Sequence, residues 1–140
     1  MAGVAIVSCE PTLVDAGDRW QLRVRDAVID QCCFGYAVVL QLSEGAAVWE
    51  IRIEQPFAAT TFDGAEHLVV PEEDSRLQIV LSMLRSTVES AEAIKDGHFV
   101  LRCSGGDILQ IPPDEGFEAW TVVGPGGIRL VSLPGGELGV

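Results

Sequence analysis

Residues 98–136, HFVLRCSGGDILQIPPDEGFEAWTVVGPGGIRLVSLPGG, decide the fold class of this chain. Apolar runs of strand length alternate there with turn signals at 105–107, 112–116 and 124–127, each rich in glycine or proline. Such alternation is typical of antiparallel strands joined by tight turns. The stretch is therefore predicted to be a β-meander whose apolar face needs a cover from the rest of the chain.

The alternation continues toward the N-terminus. Trp20, Leu22 and Val24 alternate with polar residues, as in a half-buried strand. The phase changes near Asp26, where a β-bulge would turn Ala27 inward. Residues 1–18 are predicted to form an N-terminal arm or an edge strand. Residues 19–140 then make up one α+β domain, as the length suggests.

A hairpin is predicted next. Residues 36–42 and 49–53 have apolar side chains at every second position, and Ser-Glu-Gly at 43–45 separates them. Residues 57–66 contain Thr, Asp and Gly and are predicted to be a loop. A short strand at 67–70 would end before Pro71.

One amphipathic helix is predicted over residues 74–85. The apolar positions at helical spacing are Leu77, Val80, Leu81 and Leu84. Acidic residues at 72–74 suit the positive end of a helix dipole, and Arg85 suits the last turn. Residues 87–94 could extend the helix, but their β-branched side chains favour a strand.

Two segments of the chain resemble each other. VVLQLSEG at 38–45 is similar to FVLRCSGG at 99–106, and an Ile-containing alternation and a proline follow each. A duplicated hairpin would explain this likeness, and so would the general resemblance among hairpins, so both explanations stay open.

The predicted fold is α+β: a mainly antiparallel, strongly curved sheet of about eight strands, with the one amphipathic helix between two β-rich halves. The predicted core is Trp20, Leu22, Val38, Leu40, Ile51, Ile53, Leu77, Val80, Leu81, Leu84, Leu101, Ile111, Trp120 and Leu130.

The charge balance restricts the partners. Against 21 acidic residues there are 9 basic ones, for a net charge of −12. Phosphate backbones and anionic lipids would repel such a chain, so nucleic acid and membranes are not expected partners. Solubility is the simplest explanation of this acidity. The alternative is a surface that meets a protein partner, basic in character, or a second copy of the chain. No apolar run reaches the roughly 20 residues that span a bilayer.

The N-terminal sequence suggests a cytoplasmic location, and that location determines what is expected of the cysteines. MAGVAIVSCEP has no basic segment and reaches Glu10 too early for a signal peptide. Cys9, Cys32, Cys33 and Cys103 are then expected to be free thiols. With two histidines and no ligand spacing among the cysteines, neither a metal nor another cofactor is expected.

Four motifs carry a family resemblance. They are Gly-x-Phe-x-Leu at 97–101, Gly-Asp at 106–107, Phe-Glu-Ala-Trp at 117–120 and Leu-Pro-Gly-Gly-Glu-Leu at 133–138. Together, over residues 20–138, they resemble a family of small uncharacterised bacterial proteins, a domain of unknown function. The resemblance implies no activity. By analogy only, such proteins are similar in size and acidity to immunity proteins of bacterial toxin systems.

The candidate binding patch consists of Glu115, Glu118 and Trp120. The two carboxylates could act as a pair, with Trp120 as a stacking platform. Alternatively, Trp120 is a core residue and Glu118 faces a turn or solvent. No catalytic residue is predicted, because Ser104 and Ser132 lack a nucleophile-elbow context and the glycine-rich segments do not precede a helix.

Three functional hypotheses follow. The first is a non-enzymatic acidic protein-interaction domain, in one form an immunity-like inhibitor of a basic partner. The second is a small-molecule binding or enzymatic domain with a cleft near Glu115, Glu118 and Trp120. The third is a structural subunit whose sheet edges pair in a homodimer. Trp20 and Trp49 are expected on the core or a sheet face, and two adjacent exposed tryptophans would instead mark a binding patch.

Overall fold

The computed structural model of the chain describes residues 12–73 and 76–140. Its elements, in chain order, are β1 (Leu13–Asp15), β2 (Arg19–Leu22), β3 (Val28–Phe34), β4 (Val38–Glu44), β5 (Ala47–Ile53), β6 (Phe57–Thr60), β7 (Glu66–Val69), α1 (Leu77–Leu81), β8 (Val88–Ile94), β9 (Phe99–Cys103), β10 (Ile108–Ile111), β11 (Trp120–Val123), β12 (Arg129–Ser132) and β13 (Leu138–Gly139).

The strands of the described residues form two antiparallel sheets around one hydrophobic core. The first has seven strands in the order β1-β2-β8-β9-β10-β6-β7, and the second has six in the order β13-β12-β11-β5-β4-β3. Successive residues of β5 lie on opposite faces of its sheet. Trp49, Ile51 and Ile53 are at most 1% exposed, whereas Glu50 and Arg52 between them face solvent. The inner faces of both sheets contribute to a single buried cluster.

The structure confirms the antiparallel, β-rich prediction and corrects the strand count. The described residues hold thirteen strands in two sheets rather than about eight in one curved sheet. The predicted loop at 57–66 contains β6, which buries Phe57 and Ala59. Strands of two to four residues have too few positions to show an alternation, and small alanines conceal it further.

The predicted helix is much shorter than expected. α1 spans only Leu77–Leu81, and residue 74, its expected first residue, lies outside the described part of the chain. After Leu81 the amides of Met83 and Leu84 donate to carbonyls three residues back, and Arg85 adopts a φ of +74°. The chain thus turns sharply to enter β8, which confirms the predicted strand at 87–94.

Four predicted core residues are not fully buried. Trp20, Leu77 and Leu84 are half-buried, and Leu81 is 49% exposed. The short helix explains the exposure of Leu77, Leu81 and Leu84, because a helix of one and a half turns buries only a narrow stripe of its surface. The other ten are buried: Leu22, Val38, Leu40, Ile51, Ile53, Val80, Leu101, Ile111, Trp120 and Leu130.

The two halves of the chain follow the same path and exchange strands. In the first half, β3, β4 and β5 lie in the six-stranded sheet, and the chain then crosses to add β6 and β7 to the seven-stranded sheet. In the second half, β8, β9 and β10 lie in the seven-stranded sheet, and the chain crosses back to add β11 and β12 to the other. Each crossing strand pairs with the last hairpin strand of the other half, β6 with β10 and β11 with β5.

Matching bulges support this equivalence. The register shifts between Ile29 and Gln31 in β3, and between Val88 and Ser90 in β8. The similar segments at 38–45 and 99–106 form β4 and β9, the neighbours of the two bulged strands. The likeness seen in the sequence therefore has a counterpart in topology and register.

The change of phase near Asp26 is a crossing between sheets and not the predicted bulge. Asp26 has a φ of +72° and lies in the turn that leads from β2 in one sheet to β3 in the other. Val24 and Ala27, on either side of it, are each 1% exposed. The inward position of Ala27 is confirmed, but a turn produces it.

Most of the N-terminal segment 1–18 falls outside the residues that the structure describes. Residues 1–11 lie outside the described part of the chain, so the prediction for them is not addressed. Residues 13–15 form β1, the edge strand of the seven-stranded sheet. There Asp15 Oδ1 lies 2.8 Å from Lys95 Nζ, an ion pair that joins β1 to the turn after β8.

Candidate functional site

The predicted residues Glu115, Glu118 and Trp120 do not share one cleft. Trp120 is fully buried, and its ring centroid lies 5.0 Å from that of Phe99 in the opposite sheet. Glu115 and Glu118 are both exposed. The stacking platform is therefore sealed inside the core, while Glu118 lies at the surface two residues before it.

The carbonyl of Gly97 explains why Trp120 is held inside. It accepts hydrogen bonds from Trp120 Nε1 at 2.8 Å and from Ser132 Oγ at 2.9 Å, both in the buried interior. A side chain at Gly97 would collide with Gly136 and Pro113. Residues at 97, 120 and 136, from three of the four motifs, thus pack the turn after β8 against the turn after β12. Their arrangement stabilises the fold.

A cleft of about 540 Å³ lies beside Glu118, at the end of the molecule where both halves cross between the sheets. One wall is the β5–β6 crossing, with Glu54, Gln55 and Pro56. The other wall is the longer β10–β11 crossing. Its lining residues are Asp114, Phe117 and Glu118. Each half of the chain therefore supplies one wall.

Hydrogen bonds that involve the backbone hold the two walls in place. Glu54 N donates to Ala119 O at 2.9 Å, and Gln55 Nε2 donates to Pro112 O. Asp114 Oδ2 accepts from the amides of Gly116 at 2.8 Å and Phe117 at 2.9 Å. These side-chain-to-backbone bonds shape the loop between β10 and β11.

The lining of the cleft is acidic and aromatic. Three acidic residues, Glu54, Asp114 and Glu118, line it together with Phe117, which is 77% exposed. Arg52 Nε lies 3.5 Å from Glu54 Oε1, but both side chains are well exposed, and such pairs contribute little. Carboxylates next to an aromatic face attract guanidinium and ammonium groups.

The thiols differ in exposure. Cys33 is exposed, whereas Cys32 is half-buried and its burial, followed by the neighbouring Cys33, raises its pKa. Burial, followed by the charge of Asp107, raises the pKa of Cys103 to about 11. All three are free, and Cys9 lies outside the described residues. These cysteines do not contribute to the cleft.

Residues 12–73 and 76–140 contain neither a cluster of metal ligands nor a membrane-spanning helix. No group of three or more His, Cys, Asp or Glu side chains in this part of the chain is placed to hold a metal ion. The helix found there is too short to cross a membrane.

Most of the cleft was not found from the sequence. Glu118 was predicted as a binding residue, but Glu54, Gln55, Asp114 and Phe117 were not. A signal did exist, because the strand that follows each similar segment ends near a proline, Pro56 or Pro112, where the chain leaves its sheet. Recognising those prolines as two crossings that meet would have brought both walls together.

A family of unknown function, DUF6188, matches residues 20–140. No curated protein matches the chain, and no solved structure does.

Proposed function

Since the chain belongs to DUF6188, a family of unknown function, we propose from its own chemistry that it is a non-enzymatic protein-interaction domain that binds a basic partner. The observation that carries this proposal is the cleft between the two crossings. It combines three carboxylates with an exposed aromatic ring on a braced backbone. Rigid acidic and aromatic surfaces are suited to lysine and arginine side chains.

The net charge supports the same partner chemistry. A chain with a net charge of −12 draws a basic protein toward it before contact, and the cleft then supplies the short-range contacts. An immunity-like inhibitor that covers the basic surface of a bacterial toxin is one form of this proposal. A cytoplasmic location belongs to the same proposal, and the thiols of Cys32, Cys33 and Cys103 would stay reduced there.

The test compares two pairs of charge removals. Glu54→Gln with Glu118→Gln removes two charges from the cleft, and Glu44→Gln with Glu66→Gln removes two exposed charges from the far ends of the sheets. Binding of a hexa-arginine peptide is measured by fluorescence anisotropy at 20 and 300 mM salt. We expect the cleft variant to bind about fivefold more weakly at low salt, and the control variant to bind nearly as wild type does.

Two results would contradict the proposal. If both double variants lost the same affinity, only the overall charge would matter and the cleft would have no special role. If binding did not change with salt, charge would not drive it, since ions screen exposed charges over about 10 Å at 0.1 M.

The cleft volume also supports a second candidate, a site for a small organic cation. A volume of about 540 Å³ lies within the range of ligand pockets, roughly 300–1,000 Å³. Titration with arginine methyl ester distinguishes the two. The interaction domain requires a peptide context and binds the free ester far more weakly than the peptide, whereas a small-molecule site binds both alike.

The homodimer remains the third candidate. β7 and β1 are the edges of one sheet, β13 and β3 those of the other, and open edges can pair between copies. Light scattering of the purified chain decides this, since a monomer at high concentration excludes a stable dimer.

A further inference from the structure

An apolar groove adjoins the acidic cleft. It has a volume of about 240 Å³, and Pro56 lines both the groove and the cleft, so the two lie next to each other. Besides Pro56, its lining includes Ala58, Leu68, His98, Gln110 and Pro112. Ala58 is paired with both Leu68 and Gln110, which places these three in one row on the outer face of the seven-stranded sheet.

Leu68 is the exposed apolar side chain of this groove. It lies on β7, the edge strand of its sheet, and is 64% exposed. An isolated exposed leucine needs no explanation, but this one borders a concave, mostly apolar surface next to a charged cleft. The combination of an apolar groove and a polar rim is typical of sites that take a partner's side chain.

We propose that one segment of the basic partner occupies both surfaces, with a basic side chain in the cleft and an apolar side chain, such as leucine, in the groove. This inference rests on the proposed function. Charge complementarity selects the occupant, because the carboxylates of Glu54, Asp114 and Glu118 lie at one end of the combined surface. A second copy of this chain would bring like charges together there, which opposes self-association through this surface.

The spacing between the two side chains should be short. Since the two depressions share Pro56, a few residues of extended chain, at about 3.3 Å each, are enough to link them. The partner is therefore expected to carry an arginine or lysine followed or preceded by an apolar residue within about three positions.

The test uses three matched sets of eight-residue peptides on the full chain. The first carries two arginines, with a leucine one, two or three residues away on either side. The second replaces the leucine by serine, and the third replaces the arginines by glutamine. Affinities are measured by fluorescence anisotropy for the wild type, Leu68→Ser and Glu118→Gln. Thermal unfolding checks that each variant folds, and Leu68 is exposed enough to be replaced without loss of the core.

We expect the best leucine peptide to bind the wild type about tenfold more tightly than its serine counterpart. That advantage should disappear in Leu68→Ser, whereas the serine peptide should bind both proteins equally.

Equal binding of leucine and serine peptides to the wild type, with Glu118→Gln still weakening both, would overturn this inference and leave the proposed function standing. If no arginine peptide bound, both would fail. A dimer in light scattering that Leu68→Ser dissociates would assign the groove to a second copy and overturn the inference.

Discussion

At the scale of single residues, the motifs that resemble a family serve mainly to hold the fold together. The buried carbonyl of Gly97 accepts hydrogen bonds from the indole N–H of Trp120 and the hydroxyl of Ser132. Gly136 packs against the backbone of Asp96, where no side chain fits. Trp120, the tryptophan of the Phe-Glu-Ala-Trp motif, is thus a buried structural residue. The exposed residues of the same motif, Phe117 and Glu118, belong to the candidate site.

Replacing Gly136 separates the cost of crowding from the cost of backbone strain. Gly136 has a φ of +102°, and a methyl group there would clash with the carbonyl of Asp96; Gly126 has a φ of +73° with open space around it. We expect Gly126→Ala to lower the free energy of unfolding by about 1 kcal/mol, and Gly136→Ala by at least about 3 kcal/mol. Urea unfolding measures both. Equal losses would show that the turns after β8 and β12 are not packed together as described.

The thiols should react in the order of their exposure. Cys33 is exposed, and Cys103 is 3% exposed with its pKa raised to about 11. At pH 8 only about one thousandth of the Cys103 thiols would be ionised, and the thiolate is the reactive form. Alkylation with iodoacetamide, followed by peptide mapping, should label Cys33 first and leave Cys103 unlabelled until denaturant is added. Labelling of both at the same rate in the native protein would contradict this burial.

At the scale of elements, local alternation predicted the strands that are long enough to display it. The hairpin of β4 and β5 is confirmed. Each of its strands has seven residues, which is long enough to repeat the alternation of apolar and polar side chains several times. The assignment of strands to two sheets could not be predicted, because pairs such as β6 with β10 join segments about fifty residues apart. The cleft depends on that pairing, which is why only Glu118 of its lining was expected.

The short helix leaves neighbouring apolar residues with very different exposure to solvent. Val80 is fully buried, whereas Leu81 is 49% exposed, although the helical spacing treated them alike. We expect Val80→Ala to cost about 2 kcal/mol of stability, since it leaves a cavity in the core, and Leu81→Ala to change it by less than about 0.5 kcal/mol. Chemical denaturation of the two variants checks this. A large loss from Leu81→Ala would support the longer amphipathic helix that periodicity alone predicts.

At the scale of the whole molecule, the exchange of strands between the two halves creates the site. Each half builds a hairpin in one sheet and then crosses to the other sheet, and the two crossings meet at one end. Glu54 comes from the first crossing, and Asp114 and Glu118 come from the second. Exposed acidic residues occur elsewhere too, for example Asp30, Glu50 and Glu89. At this end of the molecule, a loop held by hydrogen bonds and an exposed phenylalanine accompany them.

The central claim is that a basic partner binds at the meeting of the two crossings rather than anywhere on an acidic surface. A titration of the ¹⁵N-labelled chain with hexa-arginine peptide, followed by backbone amide NMR, tests it most directly. We predict that the shift changes are largest at residues 54–57 and 114–119 and that they disappear at high salt. Changes of equal size at the distant turns, around residues 44–46 and 61–65, would contradict the claim.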